Sequence, residues 1–417
     1  MSKNEPNAAV YSRQNFLSIY IPAMTLAVGT GIAIPALPIY AKSFDVSFEV
    51  ASLVIIVQQL GTTASSVPIG LLMDRIGRRW IVLLGPLVLA ASSIGVAFAG
   101  SFPELLVYRA IGGIGQQMWL LGRLTMIADT GADRSRGRQI TTMHAMESTG
   151  RLASPAIGGF LAAFWDIRAP FIAHAILSLI AIIPSFVLVK ETAPEKSSRG
   201  RAAADDVDAG WRAILVYPVL IFFFAQFLAS LTRGPIFAGQ LNLYAAYSYD
   251  VGPQDIGVLA TIVTTVGIPI GLLSGYIMDR FGRKATLVPG FSLLALALLF
   301  MMVTAFVHLP FMVFVVAYIL VYGTNSITGG NMQTLGSDIA PANARGRFYG
   351  VWHTMGSVGS PVSTSAFALL SAGAGYASAF AFLGVSALGA ALILGTQVRD
   401  KLREKPAVAA QPTATSR

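Results

Sequence analysis

The stretch GLLMDRIGRR at residues 70–79 occurs a second time, slightly altered, as GYIMDRFGRK at residues 275–284. Each copy ends one apolar run and precedes another. Further matches follow in the same order at offsets of 204 to 209 residues: LPIYA (37–41) with LNLYA (241–245), RGRQ from Arg136 with RGRF from Arg345, and Ser154–Pro155 with Ser360–Pro361. Ordered matches of this kind indicate gene duplication, and parallel six-helix repeats are a known construction of transporters.

Composition places the chain in a membrane. Of 417 residues, 54% are hydrophobic and only 12% are charged, whereas soluble domains carry about 25% charged residues. Because a spanning helix needs about 20 mostly apolar residues, the sequence predicts an all-α membrane protein of twelve transmembrane helices in two six-helix bundles. The runs are 16–41, 50–72, 80–100, 104–128, 139–164, 170–189, 214–246, 255–277, 286–307, 310–336, 347–371 and 376–397.

The charged stretch 191–212 predicts a flexible linker, so we expect an N-terminal half over 1–190 and a C-terminal half over 213–398. Residues 399–417 have the composition of a disordered tail. We also expect Gly234–Pro235 to kink the long seventh run.

Loop charges predict the orientation. Arginines and lysines cluster after every second run, whereas the opposite loops offer only Lys42 and Arg168. Since cytoplasmic loops carry the excess of basic residues, both termini are predicted to be cytoplasmic. The net charge of +9 lies in these clusters, so we expect no nucleic-acid partner. With no cysteine in the chain, thiol chemistry and disulfides are excluded.

The repeated G-x-x-x-D-R-x-G-R-[RK] loop resembles the signature of the major facilitator superfamily. YRAIGG around Arg109 is similar to that family's R-x-x-Q-G motif, with Gly112 in the glutamine position. Residues of the fifth run resemble the G-x-x-x-G-P-x-x-G-G motif of its drug:proton antiporters, with Ser154 in place of a glycine; they are Gly150, Pro155, Gly158 and Gly159.

This resemblance implies a secondary transporter of a bacterial inner membrane, acting as a monomer on a small molecule and using a proton gradient without any cofactor or metal. It also implies a cytoplasmic gate in which Asp74 contacts the eleventh helix, although the same residues could serve only as lipid-facing anchors. The predicted gate residues are Gly70, Asp74, Arg75, Gly77, Arg78, Asp129, Gly275, Asp279, Arg280, Gly282, Arg283 and Arg345.

Charges inside the bilayer are costly and usually functional. Glu147 lies about nine residues past Arg138, ~13 Å into the membrane at 1.5 Å per residue. His144, Glu147 and Arg151 share one helical face, and a carboxyl group there could carry a proton. The alternative is a static Glu147–Arg151 ion pair.

Polar residues also recur at helical spacing on the fourth, seventh and tenth runs. The resemblance places these runs around the substrate cavity, whereas Arg123 is close enough to its helix end to snorkel. The predicted cavity residues are Arg109, Gln116, Arg233, Gln240, Tyr318, Tyr322 and Asn325.

Three functional hypotheses follow. The first is proton-coupled export of a small organic or drug-like molecule by alternating access. The second is symport of an organic anion, because Arg109, Arg151 and Arg233 outnumber the single Glu147. The third is a membrane receptor that does not transport. No phosphate-binding loop or catalytic constellation supports an enzyme.

Overall fold

The computed structural model describes residues 16–130, 133–188, 214–341 and 344–397, except for the side chains of 128–138 and 345–346. Every regular element in these ranges is helical, which confirms the all-α class. The predicted linker 191–212, the tail 399–417 and both termini lie outside the described residues, so the division into halves at the linker stays a prediction.

Twelve helices succeed one another in the described part of the chain, with α5 and α7 each in two segments. Their bounds are α1 Phe16–Lys42, α2 Phe48–Ile76, α3 Arg78–Ala97, α4 Phe102–Thr130, α5a Asp133–Gly150, α5b Ser154–Phe164, α6 Ala169–Leu188, α7a Tyr217–Ala238, α7b Gln240–Ser248, α8 Pro253–Phe281, α9 Arg283–Val307 and α10 Phe311–Ile339. The final helix Arg345–Gln397 bends at Gly375, where φ is +80°, and this bend separates α11 (345–374) from α12 (376–397).

Nine helices within the described ranges are long and apolar enough to cross a membrane. That count takes α11 and α12 as one helix. The polar α4 and the divided α5 complete the set of twelve. The helices begin and end within a few residues of the sequence prediction, because long apolar runs between charged turns leave little freedom in their ends.

The duplicated loop forms the same turn twice. Gly77 ends α2 with φ +95° and Gly282 ends α8 with φ +98°. Residues other than glycine rarely adopt such positive φ angles, so a glycine is required at this position in both copies. We call the end of the bundle that carries these two turns the motif end, and the opposite end the Lys42 end.

α5 and α7 are each divided, and α1 also turns at Ile34–Pro35. α5 turns at 151–153 and resumes at Ser154, with Pro155 in its first turn; proline suits that position because its missing N–H has no partner there anyway. α7a continues as a helix through Pro235 and ends at Ala238, and Gly239, with φ +90°, separates it from α7b. The break in the helix therefore falls four residues after Pro235, where the kink was predicted. Gly234 packs closely against the backbone of Ser360.

Helices of the two repeats pack against each other at several places. α5b packs against α8, α2 packs against α11, and the short α7b packs against α1 and α2. The remaining major contacts lie among α1–α6 or among α7–α12. Several polar side chains lie along these contacts between the repeats.

Candidate transport site

The Lys42 end is held shut by contacts between the repeats. The ammonium of Lys42 lies 2.5 Å from a carboxylate oxygen of Asp250 and also donates to the backbone oxygen of Ala246 at 3.1 Å. The hydroxyl of Tyr247 donates to the backbone oxygen of Val46 at 2.9 Å. Hydrogen bonding to Lys42, aided by its charge, lowers the pKa of the exposed Asp250 carboxyl, so the pair is charged at neutral pH.

Aromatic rings fill the space beneath this ion pair. Phe48 meets Tyr247 with ring centroids 5.8 Å apart and Tyr376 at 4.8 Å, both edge to face. Tyr376 in turn meets Tyr244 at 4.8 Å. Deeper still, Ser52 donates to the side-chain oxygen of Gln240 at 3.2 Å. Phe48 and Ser52 belong to the first repeat and the others to the second, so this layer joins the two repeats beneath the ion pair.

Gln240, a predicted cavity residue, lies within this layer. It is fully buried and bridges Ser52 to the backbone oxygen of Thr364, so it belongs to the seal and does not line an open space. Two further bridges lie toward the motif end: Gln59 donates to Ser360 at 3.1 Å and Thr63 to the backbone oxygen of Ser357 at 3.1 Å.

The gate residues at the motif end form local pairs. Asp74 lies 3.9 Å from Arg78, one turn along the chain. In the second copy, Arg283 lies 2.8 Å from Asp338 of α10 and 3.5 Å from Asp279, while Arg280 donates to the hydroxyl of Tyr276 at 3.2 Å. The side chains of Asp129 and Arg345 lie outside the described residues, so the predicted contact of Asp74 with α11 stays a prediction.

Gly70 and Gly275 are the first glycines of the two copies of the duplicated loop. In this conformation, a Cβ atom at either position would meet open space. While the Lys42 end is closed, no close helix contact therefore depends on the small size of these two glycines.

The glycines of α5 do make close contacts. Gly158 lies against the backbone of Ile32 in α1. Gly159 faces α8, where an added Cβ would lie 2.5 Å from the backbone oxygen of Pro253, and Gly257 faces back to Pro155 at the same distance. Small residues let helix backbones approach in this way. α5b is thus packed tightly between α1 of its own repeat and α8 of the other.

Glu147 lies one turn before the interruption of α5. Its carboxylate is mostly buried, at 17% exposure, and lies 3.1 Å from Nδ1 of His144. Arg151 is exposed on the following turn, and no ion pair joins it to Glu147 in the described part of the chain. A static Glu147–Arg151 pair is therefore not what this conformation contains. Other acidic residues within the described helices lie in a first or last turn.

Arg109 and Gln116 share a polar cluster with a residue that the sequence analysis missed. Gln58 of α2 accepts a hydrogen bond from Nη2 of Arg109 and donates to Gln116 at 3.1 Å. Nε of Arg109 donates to the backbone oxygen of Val54 at 3.4 Å. The sequence did not predict Gln58 as a site residue because no motif or polar spacing within α2 distinguishes it. Its role follows from its contacts with Arg109 and Gln116 of α4.

Arg233 and Asn325 come together across α7a and α10. Nε of Arg233 donates to Oδ1 of Asn325 at 3.1 Å, and the guanidinium lies 4.9 Å above the ring of Phe237. The two predicted tyrosines make other contacts: Tyr322 donates to the backbone oxygen of Ile236 at 2.9 Å, and the buried Tyr318 donates to Asn242 at 2.5 Å. Their place in a substrate cavity stays a prediction.

Arg123 does not snorkel, contrary to expectation. It is 1% exposed, lies 4.3 Å above the ring of Trp119 and donates to Ser185 of α6 at 2.8 Å. Stacking on an aromatic ring suits the planar guanidinium. This arginine joins α4 to α6 inside the first repeat, away from the repeat interface.

A groove of about 420 Å³ runs between α2 and α4, lined by Gly61, Ser65, Pro68, Ile114 and Met118 among others. It contains no charged group, and none of the predicted site residues lines it. No group of three or more potential metal ligands occurs among the described residues.

These features define a multi-pass membrane protein with two packed repeats, a sealed end and polar side chains at the repeat interface. The sequence model of the Major Facilitator Superfamily matches residues 19–364, and a second match covers 222–416. The chain therefore belongs to that superfamily, which is a family of transporters and not of enzymes.

Curated relatives and solved structures agree with this assignment. The chain is 26% identical over 267 residues to quinolone resistance protein NorA of Staphylococcus aureus (strain MRSA252), covering 63% of this chain and 66% of the relative. It is 24% identical over 261 residues to multidrug resistance protein 2 of Bacillus subtilis (strain 168), covering 62% and 65%. The match thus spans slightly under two thirds of each relative.

A crystal structure of a D-xylose–proton symporter superposes with a TM-score of 0.75 at 16% identity, covering 93% of this chain and 97% of that one. At this identity the likeness concerns the fold, and it extends the resemblance over nearly the whole chain.

Proposed function

We propose that the protein is a proton-coupled exporter of small organic molecules, working by alternating access in a bacterial plasma membrane with both termini in the cytoplasm. On this orientation the motif end faces the cytoplasm, and the structure is the state closed to the outside. The names of the two bacterial resistance relatives support export of drug-like compounds. The proposed unit is a monomer in contact with membrane lipid, with no cofactor beyond the proton gradient.

The observation that carries the proposal is the position of Glu147 on α5. Its mostly buried carboxylate lies 3.1 Å from His144, on the helix whose second part packs against α1 and α8. A proton gained or lost by a carboxyl group in a low-dielectric setting changes its cost of burial substantially. On this proposal Glu147 couples protonation to movement of α5b against α8, and Gly150, Pro155, Gly158 and Gly159 form the hinge of α5 that allows the movement.

The proposal is tested in everted membrane vesicles that are acidic inside and contain a pH-sensitive dye. Adding ethidium or 1-naphthalenesulfonate as transport substrate should release protons from vesicles that contain the protein and not from matched vesicles without it. An antiporter of either compound gives release; the absence of release with both, in protein shown to be folded, would contradict the proposal.

A further inference from the structure

The side chain of Arg233 on α7a is partly exposed. The next residue, Gly234, lies against the backbone of Ser360, and Gln59 of the first repeat donates to the hydroxyl of Ser360. Arg233 therefore lies beside a contact between the repeats, on the motif side of the seal.

Arg233 is held by an amide and not by an acid. Its Nε donates to Asn325 at 3.1 Å and its charge lies over the ring of Phe237. In the described part of the chain no carboxylate contacts it, and its two terminal nitrogens form no hydrogen bond. An amide oxygen orients the group but leaves its positive charge uncompensated, and such a charge inside a membrane protein is costly unless a partner arrives.

Gly329 of α10 lies beside the fork of terminal nitrogens. An added Cβ at Gly329 of α10 would lie 2.8 Å from Nη2 of Arg233, whereas the adjacent Gly330 has open space at the same point. Gly329 thus provides the room in which the guanidinium lies. A planar fork with two unused terminal nitrogens is suited to bind a carboxylate or sulfonate with two parallel hydrogen bonds.

Arg109 differs in this respect. Two of its nitrogens already bond to Gln58 and to the backbone of Val54, so it ties α2 to α4. Of the two arginines, Arg233 has the larger free donor capacity.

We propose that Arg233, oriented by Asn325 and accommodated by Gly329, binds an anionic group of the transported substrate, so that the preferred substrates are organic anions. This inference rests on the proposed transport function and adds the charge of the substrate.

The test compares binding of three compounds that share one ring system: 1-naphthalenesulfonate, 1-naphthalenesulfonamide and trimethyl(1-naphthyl)ammonium. Their charges are fixed at neutral pH, and binding is measured by calorimetry on the purified full-length protein without any gradient. We expect the sulfonate to bind roughly tenfold or more tightly than the other two, as a charge-assisted hydrogen-bonded pair implies.

Arg233→Gln and Gly329→Ala should remove most of that preference, whereas Arg233→Lys should keep part of it. Gly330→Ala and Arg168→Gln, on the neighbouring residue and on a distant loop, are the matched controls and should leave it unchanged. Thermal unfolding confirms that each variant is folded.

Equal or tighter binding of the ammonium compound by the unaltered protein would overturn the inference whatever the variants do. A preference that survives Arg233→Gln would overturn it too, since Arg233 would then act only as a countercharge within the protein. Proton release by ethidium together with absent sulfonate binding would retain the proposed function and reject the inference alone.

Discussion

Lys42 at the end of α1 and Asp250 in the connection between α7b and α8 form an ion pair of 2.5 Å that joins the two repeats. The Lys42 side chain is partly exposed and that of Asp250 is 90% exposed. Exposed ion pairs contribute little on their own. This one lies above an aromatic layer, however, and is broken whenever the Lys42 end opens, so it biases the equilibrium between the two states.

Removing the pair should shift that bias toward the state open at the Lys42 end. We expect Asp250→Asn or Lys42→Gln to change the population ratio by about two- to fivefold, the size of an exposed ion pair. The double exchange Lys42→Asp with Asp250→Lys should restore most of the original ratio. Spin labels on Gly100→Cys and Gly373→Cys would report the distance, since both glycines are exposed at that end and have room for a side chain.

Because the chain has no native cysteine, labelling is confined to these two positions. Asp166→Asn is the control, since Asp166 accepts from the backbone of Arg168 within the same repeat. If Asp166→Asn widened the distance as much as Asp250→Asn, the specific role of the pair would be refuted.

The pH dependence of this pair has a definite sign. Lys42 lowers the pKa of Asp250, so the contribution of the pair is complete above the ordinary aspartate pKa of about 3.9 and is lost as pH falls through the lowered value. The spin-label distances should therefore be unchanged between about pH 8 and 5 when Glu147→Gln is present. A transition near neutral pH in that background would mean that another group controls the Lys42 end.

The contact between α5b and α8 should tolerate no added methyl group. Gly159→Ala or Gly257→Ala places a Cβ 2.5 Å from a backbone oxygen, and overpacking of this kind costs about 1–3 kcal/mol. Gly350→Ala and Gly330→Ala, where a Cβ meets open space, should be neutral or slightly stabilising. Thermal unfolding in detergent compares the four variants, and equal midpoints would show that the helices can separate at no cost.

Arg123 offers a test of a buried charge without an acidic partner. Lysine would keep the charge and lose the stacking on Trp119, whereas methionine would remove the charge and fill a similar volume. Since burying an uncompensated charge is costly, we expect Arg123→Lys to lower the free energy of unfolding by about 1–3 kcal/mol and Arg123→Met to lower it less. The reverse order in chemical unfolding would show that the charge itself is needed.

Much of the architecture could be predicted from the sequence. The duplicated loop with Asp74 and Asp279 shows where the two repeats correspond. The long apolar runs predict the ends of the helices within a few residues. Partners across the interface could not be predicted, because a polar residue such as Gln58 or Ser52 acquires its role only from the rotation of neighbouring helices. The same reason explains Gln240, whose stripe was recognised but whose burial in the seal depends on α2 and α11.

The position of breaks was also only partly predictable. Pro155 coincides with the start of α5b, but Pro235 lies within α7a, since a proline can be accommodated in a helix whose neighbours satisfy the freed carbonyl group. Arg123 was predicted to snorkel because it lies close to the end of its helix. It is instead buried, because Trp119 one turn earlier provides a ring on which the guanidinium stacks inside the bundle.

The central claim is that Glu147 couples protons to transport, and one experiment addresses it most directly. Full-length protein with Glu147→Gln is reconstituted in liposomes and assayed with 1-naphthalenesulfonate and ethidium, both for gradient-driven transport and for counterflow without a gradient. Ser148→Ala, at the exposed position next to Glu147, is assayed in parallel as the control and should leave both activities unchanged. The expected result is that Glu147→Gln retains counterflow and loses transport driven by a proton gradient, while undiminished gradient-driven transport by that variant would contradict the account.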